Sequence, residues 1–330
     1  MASMIVRFAG AAGARWGVLV SSAPTHPDDE IAVLEIRTDA ATTGELIAAL
    51  EKGLKLPDSG ERQILRAAAL LSPVTTDSTL VCQGLNYRTH VEETGVGERK
   101  KNLLFGKASA SLTGPYGDII RPSEVELLDY EAEVGIVLRR DLKSGDVVDD
   151  NTLGDYVAAI VLCNDISARD TMFGALMMQW YQGKSYRTFC PAGPVLYWMK
   201  PSVVSETLEE VEFSLSYKGT QRQSAKMSHM IYKPAETLTQ LARMFDMKAG
   251  DMVLTGTPGG VLIGHARPGR MGEIIRTLLS DDVKRTEELR KELKSTVTYL
   301  QPGETLELSL RDGRAQRDLG GQYCRIVQGE

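Results

Sequence analysis

Four acidic residues are spaced so that they could act together. Asp129, Glu131 and Glu133 alternate through Asp129-Tyr130-Glu131-Ala132-Glu133. In an extended strand the side-chain period of two puts all three on one face. Asp165 follows directly on an apolar run, in Asn164-Asp165-Ile166-Ser167-Ala168-Arg169-Asp170. Like charges this close repel, and burying them unpaired is costly, so the strand holds them either at a solvated edge or around a cation. Asp165 by itself reads equally as a helix N-cap or as a partner for Arg169 four residues on. Taken together, Glu131, Glu133 and Asp165 form an all-oxygen set that suits Mg²⁺ or Mn²⁺ and leaves positions open for water and substrate. A second pair, His90 and Glu93, shares a face if its short segment turns helical, and a carboxylate beside imidazole orients it for general-base work. His26, His229 and His265 have no such context, and a lone histidine is more often structural.

The elements that must position these residues follow from periodicity. Residues 157–163 form a continuous apolar run of strand length, covered on both faces. Residues 129–138 read as a strand, as do 305–310, where Leu306, Leu308 and Leu310 alternate with polar residues. Asp312-Gly313 then signals a hairpin into the last strand. Ahead of these lies a small unit: strands near 4–8, 16–20 and 31–36, then helices predicted over 43–56 and 61–71. Residues 72–78 read as a linker. Residues 272–300 are rich in Glu, Lys and Arg and carry apolar residues at helical spacing, so they are predicted to be amphipathic helices inserted into a β-rich domain.

The chain resembles the fumarylacetoacetate hydrolase family from about Cys82 to Cys324. The resemblance rests on five segments in order: Gly84-Leu85-Asn86-Tyr87-Arg88-Thr89-His90, Asp129-Tyr130-Glu131-Ala132-Glu133, Asn164-Asp165-Ile166-Ser167-Ala168-Arg169-Asp170, Gly183-Lys184-Ser185 and Thr255-Gly256-Thr257-Pro258-Gly259-Gly260-Val261. It implies an α+β fold: a mostly antiparallel β-roll catalytic domain over 76–330, a small N-terminal α/β domain over 1–75, and a homodimer; the predicted helical insertion, at about 264–300, is this chain's own addition to that pattern. It also implies Glu131, Glu133 and Asp165 as metal ligands, His90, Glu93 and Lys184 as catalytic residues, and Arg169, Thr257, Gly256 and Tyr87 around the substrate. The His/Glu pair of the family lies on a mobile segment and activates the attacking water.

Members of the family cleave C–C bonds in acylpyruvates and diketo acids, while relatives decarboxylate or tautomerise 2-oxo acids. A 2-oxo acid can chelate a divalent ion through its keto and carboxylate oxygens, and the ion then stabilises charge developing on the keto oxygen. Lys184 would add positive charge there; without the motif it reads as a surface lysine. Thr257 could offer its hydroxyl to the substrate carboxylate; without the motif its segment is a tight turn. Two departures, Thr171-Met172-Phe173 where many hydrolytic relatives place a Gln, and the long insertion, point with Met177, Met178 and Trp180 to a bulkier substrate.

A chain of 330 residues, 42% hydrophobic and 25% charged, has the composition of a soluble globular protein. The net charge of -6, without a basic stripe, argues against nucleic-acid binding. Nothing resembles a signal peptide or a membrane span, so a cytoplasmic protein is expected. The four scattered cysteines are expected to be reduced and mostly buried. The leading expectation is a hydrolase acting on an acylpyruvate-like C–C bond. A 2-oxo-acid decarboxylase or enol–keto isomerase comes second, and a catalytically silent scaffold whose inserted helices bind a protein partner comes third.

Overall fold

A computed structural model describes residues 2–11, 13–95, 97, 100–265 and 281–330. Two large sheets dominate, with helices in the minority, so the α+β class stands. Across the larger sheet the order is Arg62–Arg66, Glu30–Glu35, Gly13–Leu19, Ser3–Gly10, Leu196–Trp198, Val157–Asn164, Ala132–Leu138, Met252–Leu254, Leu80–Gly84 and Leu103–Lys107. Pairing along it is antiparallel except between Met252–Leu254 and Leu80–Gly84. The second sheet runs Thr220–Lys226, Val211–Tyr217, Thr305–Asp312, Arg317–Gln328 and Ile119–Arg121.

Every residue of Ala132–Leu138 and of Val157–Asn164 is buried, as the unbroken apolar run of 157–163 requires. The second sheet alternates instead: Leu306, Leu308 and Leu310 face the core and Glu307 and Ser309 face out. All four cysteines are free and buried.

Several expectations are corrected. Residues 61–71 form no α-helix: Arg62–Arg66 is an edge strand on Glu30–Glu35, with Leu65 opposite Ile31, and only a 3₁₀ turn at Ala67–Ala69 follows it. Good helix formers lose here to cross-strand pairing, which returns more than intrinsic propensity can. The helix predicted over 43–56 is shorter, Thr43–Glu51, and is opened by a capping box between Thr42 and Glu45. Residues 72–78 are packed rather than free, with Ser72, Val74, Thr75 and Ser78 buried. The strand predicted over 129–138 is broken: Leu128–Asp129 pairs with Ser167–Ala168, while Ala132–Leu138 pairs with Val157–Asn164. Of the predicted insertion, Asp282–Lys294 is a helix with Leu289 and Leu293 buried, whereas residues 266–280 lie outside the described residues.

Candidate active site

Antiparallel register builds the centre. Ala132 pairs with Asn164 and Glu133 with Cys163, so the start of one strand meets the end of its neighbour. Asp165 N donates to Glu131 O at 2.8 Å, and Asn164 Oδ1 accepts from Glu131 N at 3.0 Å, locking the two strand ends together. Glu131, Glu133 and Asp165 thereby converge, all buried, with one ligand oxygen from each within 4.8 Å of the others. The solvated-edge alternative is excluded by this burial. Asp129 leaves the group: Arg169 Nε donates to its Oδ2 at 2.9 Å and the Leu262 and Ile263 amides bond it at 2.9 and 3.1 Å.

Three buried cations answer the acids. Lys184 Nζ donates to Glu131 Oε2 at 2.9 Å and to Asp165 Oδ2 at 2.5 Å. Arg169 Nη2 lies 2.8 Å from Asp129 and 2.7 Å from Glu131, not against Asp165. Lys107 Nζ donates to Asp165 Oδ1 at 2.7 Å. Sequence reading missed Lys107; a lysine closing the apolar stretch Leu103-Leu104-Phe105-Gly106 was the available signal. Four carboxylates against these three cations leave one negative charge uncompensated.

The deficit falls on Glu133. Burial, then the charges of Asp165 and Glu131, push its carboxyl well above the usual range. Its Oε2 accepts from Gly256 N at 2.8 Å, while its buried Oε1 has no hydrogen-bond partner among the described residues. For Glu131 burial also acts upward, but Lys184 and Arg169 outweigh it and hold the carboxyl at about 2. A carboxyl that burial and its neighbours keep from ionising, with one oxygen unpartnered among hard donors, fits a site that a divalent cation would complete, and each bonded carboxylate oxygen retains a second lone pair.

His90 and Glu93 lie on the helix Arg88–Thr94, so the predicted i,i+3 face exists. Nδ1 of buried His90 is 3.6 Å from Glu93 Oε2, too long for a hydrogen bond, and the imidazole lies within electrostatic range of Glu131. The helix is docked against the Thr257 turn: Gly260 N donates to Glu93 Oε1 at 2.5 Å and Gly259 N to Thr89 Oγ1 at 3.0 Å. Gly256 adopts φ +87°, and a Cβ there would fall 2.9 Å from Asn86 Cβ, so glycine is required where the backbone delivers its amide to Glu133. Thr257 Oγ1 donates to Ala132 O at 2.9 Å and accepts from Gln223 Nε2 at 2.8 Å, which commits the hydroxyl to the scaffold. Tyr87 is buried with its ring edge-on to Phe213. The structure thus gathers Glu131, Glu133, Asp165, Lys184, Arg169 and His90, brings Gly256 N to Glu133, binds Thr257 into the scaffold by hydrogen bonds and leaves Tyr87 in a packing role.

The family described as "Fumarylacetoacetate (FAA) hydrolase C-terminal" matches residues 79–326. Oxaloacetate tautomerase FAHD2A, mitochondrial, of Bos taurus is 35% identical over 198 residues, 60% of this chain and 61% of that protein. Oxaloacetate tautomerase fahd2, mitochondrial, of Xenopus laevis is 29% identical over 232 residues, 69% of this chain and 71% of that protein. The match thus spans about three fifths of the bovine relative's length. A Mycobacterium abscessus structure described as a probable 2-hydroxyhepta-2,4-diene-1,7-dioate isomerase aligns over 100% of both chains, with TM-score 0.69 and 26% identity. The fumarylacetoacetate hydrolase of Exiguobacterium antarcticum aligns over 99% of this chain and 100% of that one, with TM-score 0.71 and 24% identity, a likeness of fold.

Proposed function

The chain belongs to the fumarylacetoacetate hydrolase family, and from that premise we propose that it is a divalent-metal-dependent enzyme acting on a small 2-oxo acid through its enolate. The observation behind this reading is the buried carboxylate trio with one oxygen of Glu133 left unpartnered. Mg²⁺ or Mn²⁺ held by Glu131, Glu133 and Asp165 would supply Lewis-acid stabilisation of negative charge on the substrate's keto oxygen. A dication also turns the local deficit of one charge into a surplus of one, which suits an anionic substrate.

The chain's own residues do the rest. Lys184 fixes Glu131 and Asp165 and keeps a positive charge beside the developing oxyanion. Arg169 buttresses Glu131 from the other side. Glu93, whose Oε2 lies 3.6 Å from His90 Nδ1, would orient the imidazole once that contact shortens to a hydrogen bond, leaving Nε2 to take or return a proton. The resemblance to oxaloacetate tautomerases favours proton transfer between carbon and oxygen of an oxaloacetate-like acid. Acylpyruvate C–C hydrolysis is the second reading, favoured by the His90–Glu93 pair, since attack by water needs such a base. A homodimer and a cytoplasmic location complete the proposal; no helix among the described residues is long and apolar enough to cross a membrane.

Products from oxaloacetate and a panel of acylpyruvates, measured with Mg²⁺ or Mn²⁺ and again after EDTA, test it. Enol–keto conversion of oxaloacetate that stops with EDTA supports the first reading, and acylpyruvate cleavage the second. Turnover undiminished by EDTA in metal-free protein ends both.

A further inference from the structure

The helix Asp282–Lys294 lies outside the centre yet is tied to it. Its buried Leu289 and Leu293 form the stripe that packs it onto the protein, and Thr286 sits against Gly174, where a Cβ would fall 2.3 Å from Thr286 Oγ1. Gly174 ends the short helix Arg169–Gly174. At the start of that helix Asp170 is 1% exposed. Its Oδ2 accepts from Arg290 Nε at 3.0 Å and from Glu126 N at 2.8 Å, and Arg290 Nη2 lies 2.9 Å away. Arg290 Nη2 also donates to Glu124 O, and Nη1 pairs with Glu126 at 3.2 Å. One guanidinium thus spans the inserted helix, residues 124–126 and the first turn that presents Arg169.

We propose that Arg290 is a positioning residue for the active centre: through Asp170 it fixes the turn that aims Arg169 at Glu131, so that the inserted helix sets the affinity of the carboxylate trio for its cation. The inference rests on Glu131 being a metal ligand, as proposed above. Removing Arg290 leaves the buried Asp170 carboxylate with two backbone amides, Glu126 N at 2.8 Å and Thr171 N at 3.2 Å, but without its guanidinium, a state costly enough to move the turn. Arg169 then loses its hold on Glu131, whose oxygens drift from the position a cation requires. Supports of this kind act on affinity because a ligand's orientation is fixed by the groups behind it.

The test uses the full chain with Arg290→Met, Arg290→Lys and, as a charge control on the exposed side of the same helix, Lys291→Met. Mn²⁺ affinity is measured by calorimetry, kcat and KM by turnover, and backbone order by hydrogen–deuterium exchange. Arg290→Met is expected to weaken Mn²⁺ binding about tenfold, the low end for residues behind metal ligands, and to speed exchange across Arg169–Gly174. Arg290→Lys recovers most of the affinity, and Lys291→Met matches wild type throughout. Should the Met variant not fold, Arg290→Gln keeps a hydrogen-bond donor without the charge and supplies the same comparison. Unchanged exchange, or faster exchange with wild-type Mn²⁺ affinity, overturns the proposal. Wild-type protein that binds no Mn²⁺ instead defeats the metal reading, and exchange alone then decides whether Arg290 orders the turn.

Discussion

The two large sheets treat their side chains in opposite ways. In Val211–Tyr217 and Thr305–Asp312 buried and more exposed positions alternate, whereas in Ala132–Leu138 and Val157–Asn164 every residue is buried. An alternating strand declares its inner face, and its outer positions are free to vary. A doubly covered strand has no spare face, so its polar chemistry is confined to its ends. Glu133 is the second residue of one such strand and Asp165 lies one residue beyond the other.

The largest effect that sharpens this contrast comes at those ends. Glu131→Ala, Glu133→Ala and Asp165→Ala are each expected to abolish metal-dependent turnover in protein that remains folded by circular dichroism. Metal-free Glu133→Gln should melt no lower than metal-free wild type near neutral pH, since burial and its acidic neighbours disfavour the ionised carboxylate. A markedly lower Tm would show that Glu133 is structural. His90→Ala comes next: loss of a positioned base costs about 10² to 10⁴-fold in rate, read as kcat on whichever substrate is turned over, while decarboxylation of oxaloacetate, needing no attacking water, suffers much less. Wild-type kcat in that variant removes His90 from the mechanism.

Smaller effects probe the sheets themselves. Leu162→Ala, in the doubly covered strand, should cost about 2–5 kcal/mol in urea unfolding, and Ile160→Val about 0.5–1.5 kcal/mol. On the alternating sheet Glu307→Ala should stay within about 0.5 kcal/mol, although its neighbour Leu308 is buried. A large loss at Glu307 would show that its face is covered by something the single chain lacks.

Much of the centre was legible because period and spacing suffice for it. Alternation put Glu131 and Glu133 together, and an acid directly after the apolar run put Asp165 at a strand end. The partners of Asp165 were not legible: Arg169, four residues on, was the local candidate, but Lys107 and Lys184 reach it from 58 and 19 residues away. Nor did spacing show that the chain breaks near Tyr130, which sends Asp129 to Arg169. The Arg62–Arg66 strand was misread because its residues favour helix locally and only pairing with Glu30–Glu35 decides otherwise. The motif around Thr257 was recognisable, but that its hydroxyl is held by Gln223 depends on a strand whose sequence does not announce it.

The pairing of Ser3–Gly10 with Leu196–Trp198 has a consequence for how the chain is made. Ile5 lies opposite Leu196, about 190 residues downstream. During synthesis the early strands can form their own meander, with Arg7 and Phe8 paired to Leu71 and Leu70, long before that neighbour has left the ribosome, and for that interval residues 3–5 keep an unsatisfied edge. Contacts of such sequence separation slow folding, and a waiting edge invites pairing with another nascent chain. Production of this protein should therefore respond to elongation rate and chaperone supply more than its finished packing suggests.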